Sequence, residues 1–284
     1  MTRFFTALLL LACAACSQAP VQRPPSAQPN VTVLAQPLAM PGLARERTLR
    51  LYLPPSYGQG ERRYPVIYMH DGQNLFDDAT SYVGEWGVDE TLNALARSHG
   101  FEAIVVGVDH GGDKRMTELN PWANPRFGAG EGDAYLGFLV DVVKPFIDSH
   151  YRTLPGRDTT AIFGSSMGGL ISDVAIHRYP QVFGKAGVFS PAYWTAPDVW
   201  AYAERQRLPA GARVYLYMGG QEGRGMVDEV RRMHQLLGST LPAGAEATLH
   251  VEPAAEHNET AWRREFGPAL VWLFGLQPQA AASR

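Results

Sequence analysis

A chain of 284 residues, 45% hydrophobic and 19% charged, has room for one large α/β domain or two small ones and is too apolar to be disordered or fibrous. Its formal net charge of -3, with no long run of one sign, lacks the footprint of a nucleic-acid binder.

The N-terminus opens with Arg3, an apolar run from Phe4 to Ala12, then Cys13-Ala14-Ala15-Cys16-Ser17. A basic start, a short apolar stretch and small residues are the pattern of an export signal. The run falls short of the ~20 residues that cross a bilayer. A cysteine after small residues resembles a bacterial lipobox, so residues 1–16 are expected to be a lipoprotein signal with Cys16 lipidated, Cys13 being the alternative. A plain signal peptide cleaved near Ala15 or Ala19 is the simpler reading. Residues 17–30, rich in Pro, Gln, Ser and Ala, are expected to form an extended tether to a membrane. At ~3.1 Å per residue it would reach about 40 Å. Ser17 after the cysteine points to an outer-membrane lipoprotein facing the periplasm or the exterior; without the anchor the enzyme would be soluble, periplasmic or secreted. Both cysteines of the chain lie in this segment, so the mature domain has no internal disulfide, zinc-thiolate site or cysteine nucleophile.

From Val31 to about residue 276 the pattern is that of one folded domain, followed by a tail over 277–284. Arg47–Leu53 alternates as a strand and stops at Pro54-Pro55. Val66–Met69 is a short buried strand. Trp86–Leu95 has helical spacing, and Ala103–Val108 is another buried strand. Tyr135 to Ile147 presents one apolar helical face, interrupted by Pro145. Then follow strand Thr160–Phe163, helix Leu170–Tyr179, strand Ala186–Phe189, strand Arg213–Met218, helix Met226–Leu237, strand Ala247–Val251 and helix Asn258–Phe274. Strands alternating with helices imply a mostly parallel central sheet with helices on both faces.

Gly164-Ser165-Ser166-Met167-Gly168 fits G-x-S-x-G, with an apolar strand before it and a helical pattern after it, as a nucleophile turn requires. Ser166 is the expected nucleophile, and the Met167 amide at the helix start is an oxyanion donor. A serine hydroxyl needs a base. His250 falls inside a strand pattern, and His177 and His234 read as solvent-facing helix residues. His257, in the polar loop before the last helix, is the expected base. The acid belongs in the loop after Met218: Glu222, or else Asp228 on the next helix, would orient and stabilise the imidazolium.

These residues, with Tyr64 to Asp77, Glu85 to Asp89, Tyr135 to Leu139 through Tyr151-Arg152-Thr153, and Glu256 to Trp262, make the chain resemble the esterase D-like branch of the α/β hydrolases. That branch includes bacterial esterases, feruloyl and acetyl-xylan esterases, enterochelin-type siderophore esterases, S-formylglutathione hydrolases and the mycolyltransferases. The resemblance implies a single α/β-hydrolase domain and a serine carboxylic-ester hydrolase working through an acyl-enzyme. It supports Glu222 as the acid, implies the Gln73 amide as second oxyanion donor, and sets Trp194 near the pocket, where it could stack on an aromatic acyl group or simply cover the core. No metal or organic cofactor is needed; the acidic grouping Asp71, Asp77 and Asp78 reads more simply as scattered surface acids. The expected partner is a small-molecule ester, with the membrane met only through the N-terminal lipid.

Loops 77–85, 109–133 and 191–209 should shape the pocket. Trp122, Phe127, Tyr193, Trp194 and Trp200 would give it an aromatic rim suited to short-chain or aromatic acyl groups. An acyltransferase of the mycolyltransferase type, or a siderophore ester hydrolase, would use the same triad. A silent binding lipoprotein would have no reason to keep all three residues.

Overall fold

The computed structural model describes residues 23–279. Cys13 and Cys16, with the rest of the expected signal and the extreme C-terminus, lie outside the described residues.

The short apolar runs of the sequence become the strands of one sheet. In chain order the strands are β1 Val31–Val33, β2 Leu38–Met40, β3 Arg45–Arg47, β4 Leu49–Tyr52, β5 Val66–His70, β6 Ile104–Val108, β7 Thr160–Ser165, β8 Lys185–Phe189, β9 Arg213–Gly219 and β10 Glu246–Glu252. Eight of them form a sheet in the order β1-β4-β6-β5-β7-β8-β9-β10. From β6 to β10 neighbouring strands run parallel, while β4 and β1 are antiparallel to their neighbours. β5, β6, β7 and β8 are buried along their whole length, which is why they lack alternation in the sequence.

The helices are α1 Val88–His99, α2 Arg115–Glu118, α3 Gly132–Phe138, α4 Lys144–His150, α5 Met167–Arg178, α6 Val199–Arg205, α7 Arg224–Thr240 and α8 Glu259–Phe274. Side chains alternate across the sheet and divide the core in two. Ile67, Met69, Ala161, Phe163 and Phe189 pack with Leu92 of α1 and with Trp262, Phe266 and Leu270 of α8. Tyr68, Ile162, Val188 and Leu216 pack under α3, α5 and α7. The expected single α/β-hydrolase domain with a mostly parallel sheet and helices on both faces is therefore the observed one.

Several local readings change. The strand expected over Arg47–Leu53 divides: β3 pairs with β2 in a separate two-stranded sheet, and β4 joins the main sheet. Pro145 does not break its helix. It has no amide to offer, and the chain takes a π-helical stretch over Leu139–Val143 between α3 and α4. His177 is buried, not solvent-facing, because α5 is covered over nearly all its surface; its Nδ1 meets the Gln206 carbonyl. The described end of the expected tether also lies against the domain. Arg23 donates to Asp78 (2.9 Å) and to the carbonyls of Ser81 (2.6 Å) and Tyr82 (2.8 Å). The Ser26 and Gln28 amides donate to Asp77 and Asp89. Arg23 and Ser26 thus hold the 77–85 loop.

The loop from Gly111 to Glu131 is held by a cluster of charges. Arg47 reaches both oxygens of Glu118 (2.7 and 2.8 Å), and Arg45 bridges Glu118 and Glu131. The Arg47 and Glu118 side chains are only 7% and 2% exposed. Removing one partner strands the other charge in the interior. Glu118→Ala is therefore expected to lower unfolding stability by roughly 3–5 kcal/mol, measured by urea denaturation. A loss below ~1 kcal/mol would mean that the pair is solvated and does not hold the loop.

Candidate active site

Three loops at the carboxyl ends of parallel strands meet above the sheet, where ligands of open α/β sheets bind. The turn from β7 to α5 carries Ser166, the loop after β9 carries Glu222, and the loop after β10 carries His257.

Ser166 takes φ 57° and ψ -118°, a region that a residue with a Cβ rarely occupies. Close packing enforces it. A Cβ on Gly164 would stand 2.6 Å from the Gly168 carbonyl carbon, and one on Gly169 would stand 2.6 Å from the Phe189 oxygen. The Ser166 amide is tied to the Phe189 carbonyl, and its carbonyl accepts from Ala192 and Leu170. From Thr160 to His177, Ser166 alone escapes full burial; Ser165 is buried. Met167 is the first residue of α5, so its amide has no intrahelical acceptor.

His257 Nδ1 lies 2.6 Å from Glu222 Oε2. A carboxylate only accepts, so the proton sits on Nδ1 and Nε2 is left as a base. The Glu222 side chain is fully buried. Its other oxygen accepts from Ser190 Oγ (2.6 Å) and from the Gly219 amide (2.8 Å). Three donors thus surround a buried charge that would otherwise be costly. Trp262 Nε1 donates to Ser190 Oγ (2.9 Å), and the Trp262 ring stands edge-on to His257 with centroids 5.0 Å apart. Asp228, the other acid candidate, is on α7 with its side chain 63% exposed, facing Arg231. Of the two acids, Glu222 is the one joined to His257.

Ser166 and His257 line one cleft of about 470 Å³ together with Asp71, Asn74, Tyr82, Val83, His110, Arg115, Glu259 and Trp262. Arg115 grips Asp71 with Nε (2.6 Å) and Nη2 (2.8 Å). Burial would raise the Asp71 carboxyl, but the adjacent guanidinium outweighs it and holds the group below its usual range. Asp71 has φ 56°, a second strained position at the cleft. Behind it, His70 is buried with Nδ1 2.7 Å from the Tyr135 hydroxyl. Burial lowers its imidazole to about 4, so His70 is neutral at neutral pH. Burial also pushes the Glu259 carboxyl up.

Gln73 sits in the turn Gly72–Asn74 that follows β5. Its side chain turns to the His110 backbone, accepting from the amide (2.9 Å) and donating to the carbonyl (3.2 Å). Trp194 is outside the cleft lining: it is half exposed and stands edge-on to Phe127. The other rings expected at the rim are also elsewhere. Tyr193 is buried on Asp173, Trp200 packs on Tyr193, and Trp122 packs on Tyr202. These rings pack on other rings of loops 109–133 and 191–209, and the aromatic residues of the cleft are Tyr82 and Trp262 instead. The acids Asp71, Asp77 and Asp78 are each engaged by protein donors. Among the described residues no group of three or more His, Cys, Asp or Glu side chains could hold a metal ion.

A family model described as Putative esterase matches residues 41–273. The uncharacterized protein YbbA of Bacillus subtilis (strain 168) is 29% identical over 245 residues, covering 82% of this chain and 94% of that protein. An endo-1,4-beta-xylanase/feruloyl esterase of Xylanibacter ruminicola is 23% identical over 222 residues, 77% of this chain and 28% of that longer one. Among solved structures, the BES protein from Bacillus cereus aligns with a TM-score of 0.74 at 18% identity, over 90% of this chain and 99% of that one, a likeness of fold. With the family match running through most of the domain that carries the cleft, the chain belongs to this esterase family.

Proposed function

We propose that the protein is a serine carboxylic-ester hydrolase that works through an acyl-enzyme on short-chain or aromatic esters. The observation that carries this is the line of contacts from buried Glu222 to His257 Nδ1 (2.6 Å) and on into the cleft that also exposes Ser166. Ser166 Oγ attacks the ester carbonyl while His257 Nε2 takes its proton. The Met167 and Gln73 amides receive the oxyanion. His257 then protonates the departing alcohol, and water, activated by the same imidazole, releases the acid and restores the serine. Glu222 fixes the tautomer and stabilises the imidazolium. Atoms and charge balance without any further group.

Tyr82, Val83 and Trp262 give the cleft its apolar surface, which suits a short or aromatic acyl group. The feruloyl esterase among the relatives supports the aromatic end of that range.

Ser166→Ala and His257→Ala are each expected to lower turnover of short p-nitrophenyl esters by about 10³-fold or more, with the circular dichroism spectrum retained. Wild-type activity in Ser166→Ala would end this reading. Glu222→Gln should lower kcat by a smaller factor, and Asp228→Asn should leave it near wild type; the reverse pattern would move the acid to Asp228.

Across a p-nitrophenyl acyl series, kcat/KM should fall beyond about eight carbons, given the size of such pockets. A preference for long chains would defeat the substrate reading.

We further propose export and lipidation at Cys16, with the outer membrane as destination; the support is the signal-like composition of residues 1–16 and the Ala14-Ala15-Cys16 sequence. In cells fed a labelled fatty acid, the wild type should be labelled and Cys16→Ser should not. Loss of label only in Cys13→Ser would move the anchor, and an unlabelled wild type would remove it.

A further inference from the structure

We infer that Arg23, ahead of β1, is a positioning residue for catalysis: through the 77–85 loop it holds the turn that presents the Gln73 amide to the oxyanion. The inference deepens the serine-esterase reading and rests on it.

The loop has little hold of its own. It contains no helix or strand, and from Val83 to Glu85 no backbone group meets a protein partner among the described residues. Arg23 supplies the hold. Its Nη2 donates to the carbonyls of Ser81 (2.6 Å) and Tyr82 (2.8 Å), and its Nη1 donates to the Asp78 carboxylate (2.9 Å) and the Ser81 hydroxyl (3.2 Å). Two successive carbonyls beside a carboxylate call for donors in a fixed plane, which a guanidinium offers and an ammonium does not.

Arg23 is itself anchored. Pro24 and Pro25 follow it, and their fixed φ stiffens the link to Ser26. The Ser26 amide donates to Asp77 Oδ1 (3.0 Å), and Ser26 Oγ accepts from the Asp78 amide (2.7 Å). The Gln28 amide donates to Asp89 of α1 (2.8 Å), the Asn30 side chain donates to the Leu53 carbonyl (2.7 Å), and β1 begins at Val31. The guanidinium is thus attached to the edge of the sheet through bonded residues.

The same loop meets the oxyanion turn. Thr80 Oγ1 donates to the Gln73 carbonyl (2.8 Å), and the Tyr82 amide donates to Asn74 Oδ1 (3.1 Å). Tyr82 is therefore bonded at both ends, its amide to the turn and its carbonyl to Arg23. An oxyanion donor works only if its N–H points to where the charge develops. Slack in the loop would release the Gln73 carbonyl and the Asn74 side chain, and with them the aim of the Gln73 N–H. A displaced donor costs less than a deleted one, whose loss lowers kcat by about 10²–10³-fold.

The test is a double-mutant cycle in the full chain. Arg23→Ala removes the fork. Thr80→Val removes the hydroxyl that meets Gln73 and keeps the size of the side chain. With p-nitrophenyl butyrate each is expected to lower kcat about fivefold, with KM within about twofold of wild type. Formation of the acyl-enzyme and its hydrolysis both pass through an oxyanion, so kcat falls whichever step is slower. Because the two residues act in series, the double variant should also lose about fivefold, not the ~25-fold of independent sites. The Tm of Arg23→Ala should move by less than ~4 °C, as for a partly exposed ion pair. Four results overturn the role of Arg23: a kcat within about twofold of wild type in either single variant, a loss carried by KM alone, a ~25-fold loss in the double variant, or a fall in Tm above ~8 °C. With an active wild type, each of these leaves the esterase reading standing. No cleavage of the ester by wild type overturns both.

Discussion

The turn at Ser166 is the constraint on which the rest of the site depends. A non-glycine residue at φ 57° and ψ -118° costs on the order of 1–3 kcal/mol and persists only where the surroundings over-determine it. Here they do. β7 and α5 are buried on every side, the flanking glycines leave no space for a Cβ, and the Ser166 amide and carbonyl are bonded to the end of β8 and to the chain just after it. The hydrogen bonds tie two strained corners together, because Ser190, just beyond β8, also has a positive φ of 44°. The apolar core therefore does more than stabilise the sheet. It holds one hydroxyl in the position from which it can reach the cleft.

The same corner supports the acid. Ser190 Oγ donates to Glu222 and accepts from Trp262, while Trp262 packs edge-on to the ring of His257. One indole on α8 thus meets both ends of the Glu222–His257 pair: its N–H fixes a donor to the acid, and its ring limits the tilt of the imidazole. It packs on Trp86, which in turn stacks on Phe189 in the apolar core. The orientation of His257 is in this way coupled to the packing of α8 on the sheet, and a core substitution near Trp262 acts on the site without touching a polar atom.

Much of this was legible along the chain. The buried strands and long helices announced themselves by apolar runs and helical spacing, and Ser166, His257 and Glu222 each sat in a loop of the right kind after a strand. What the sequence concealed has two physical sources. β1, β2 and β3 are three residues each, too short for a period, and Arg45-Glu46-Arg47 is held by ion pairs rather than by an apolar face. The supporting residues of the site are concealed because their roles exist only through distant contacts. Trp262 and Ser190 are 72 positions apart, and Arg115 and Asp71 are 44 apart. A composition rule also misled: aromatic residues in the loops after β6 and β8 suggested a rim, yet most of them close over one another.

That last difference changes what can set specificity. With Tyr193, Trp200 and Trp122 withdrawn into packing, the loop after β6 brings polar groups to the cleft, and the apolar contribution comes from Trp262 and, on a separate loop, from Tyr82 and Val83. The two sides are built differently. The polar wall is rigid: Asp71 is held in a strained conformation and gripped through both oxygens, and His110 is clamped by Gln73. The apolar side is exposed, Tyr82 at 83% and Val83 at 62%, and is braced from outside by Arg23 on the Ser81 and Tyr82 carbonyls. A hydrogen bond discriminates only where its donor is fixed, whereas apolar contact tolerates displacement. The fixed donors of the cleft therefore lie with Arg115 and His110, and its yielding apolar contact lies with the loop of Tyr82 and Val83.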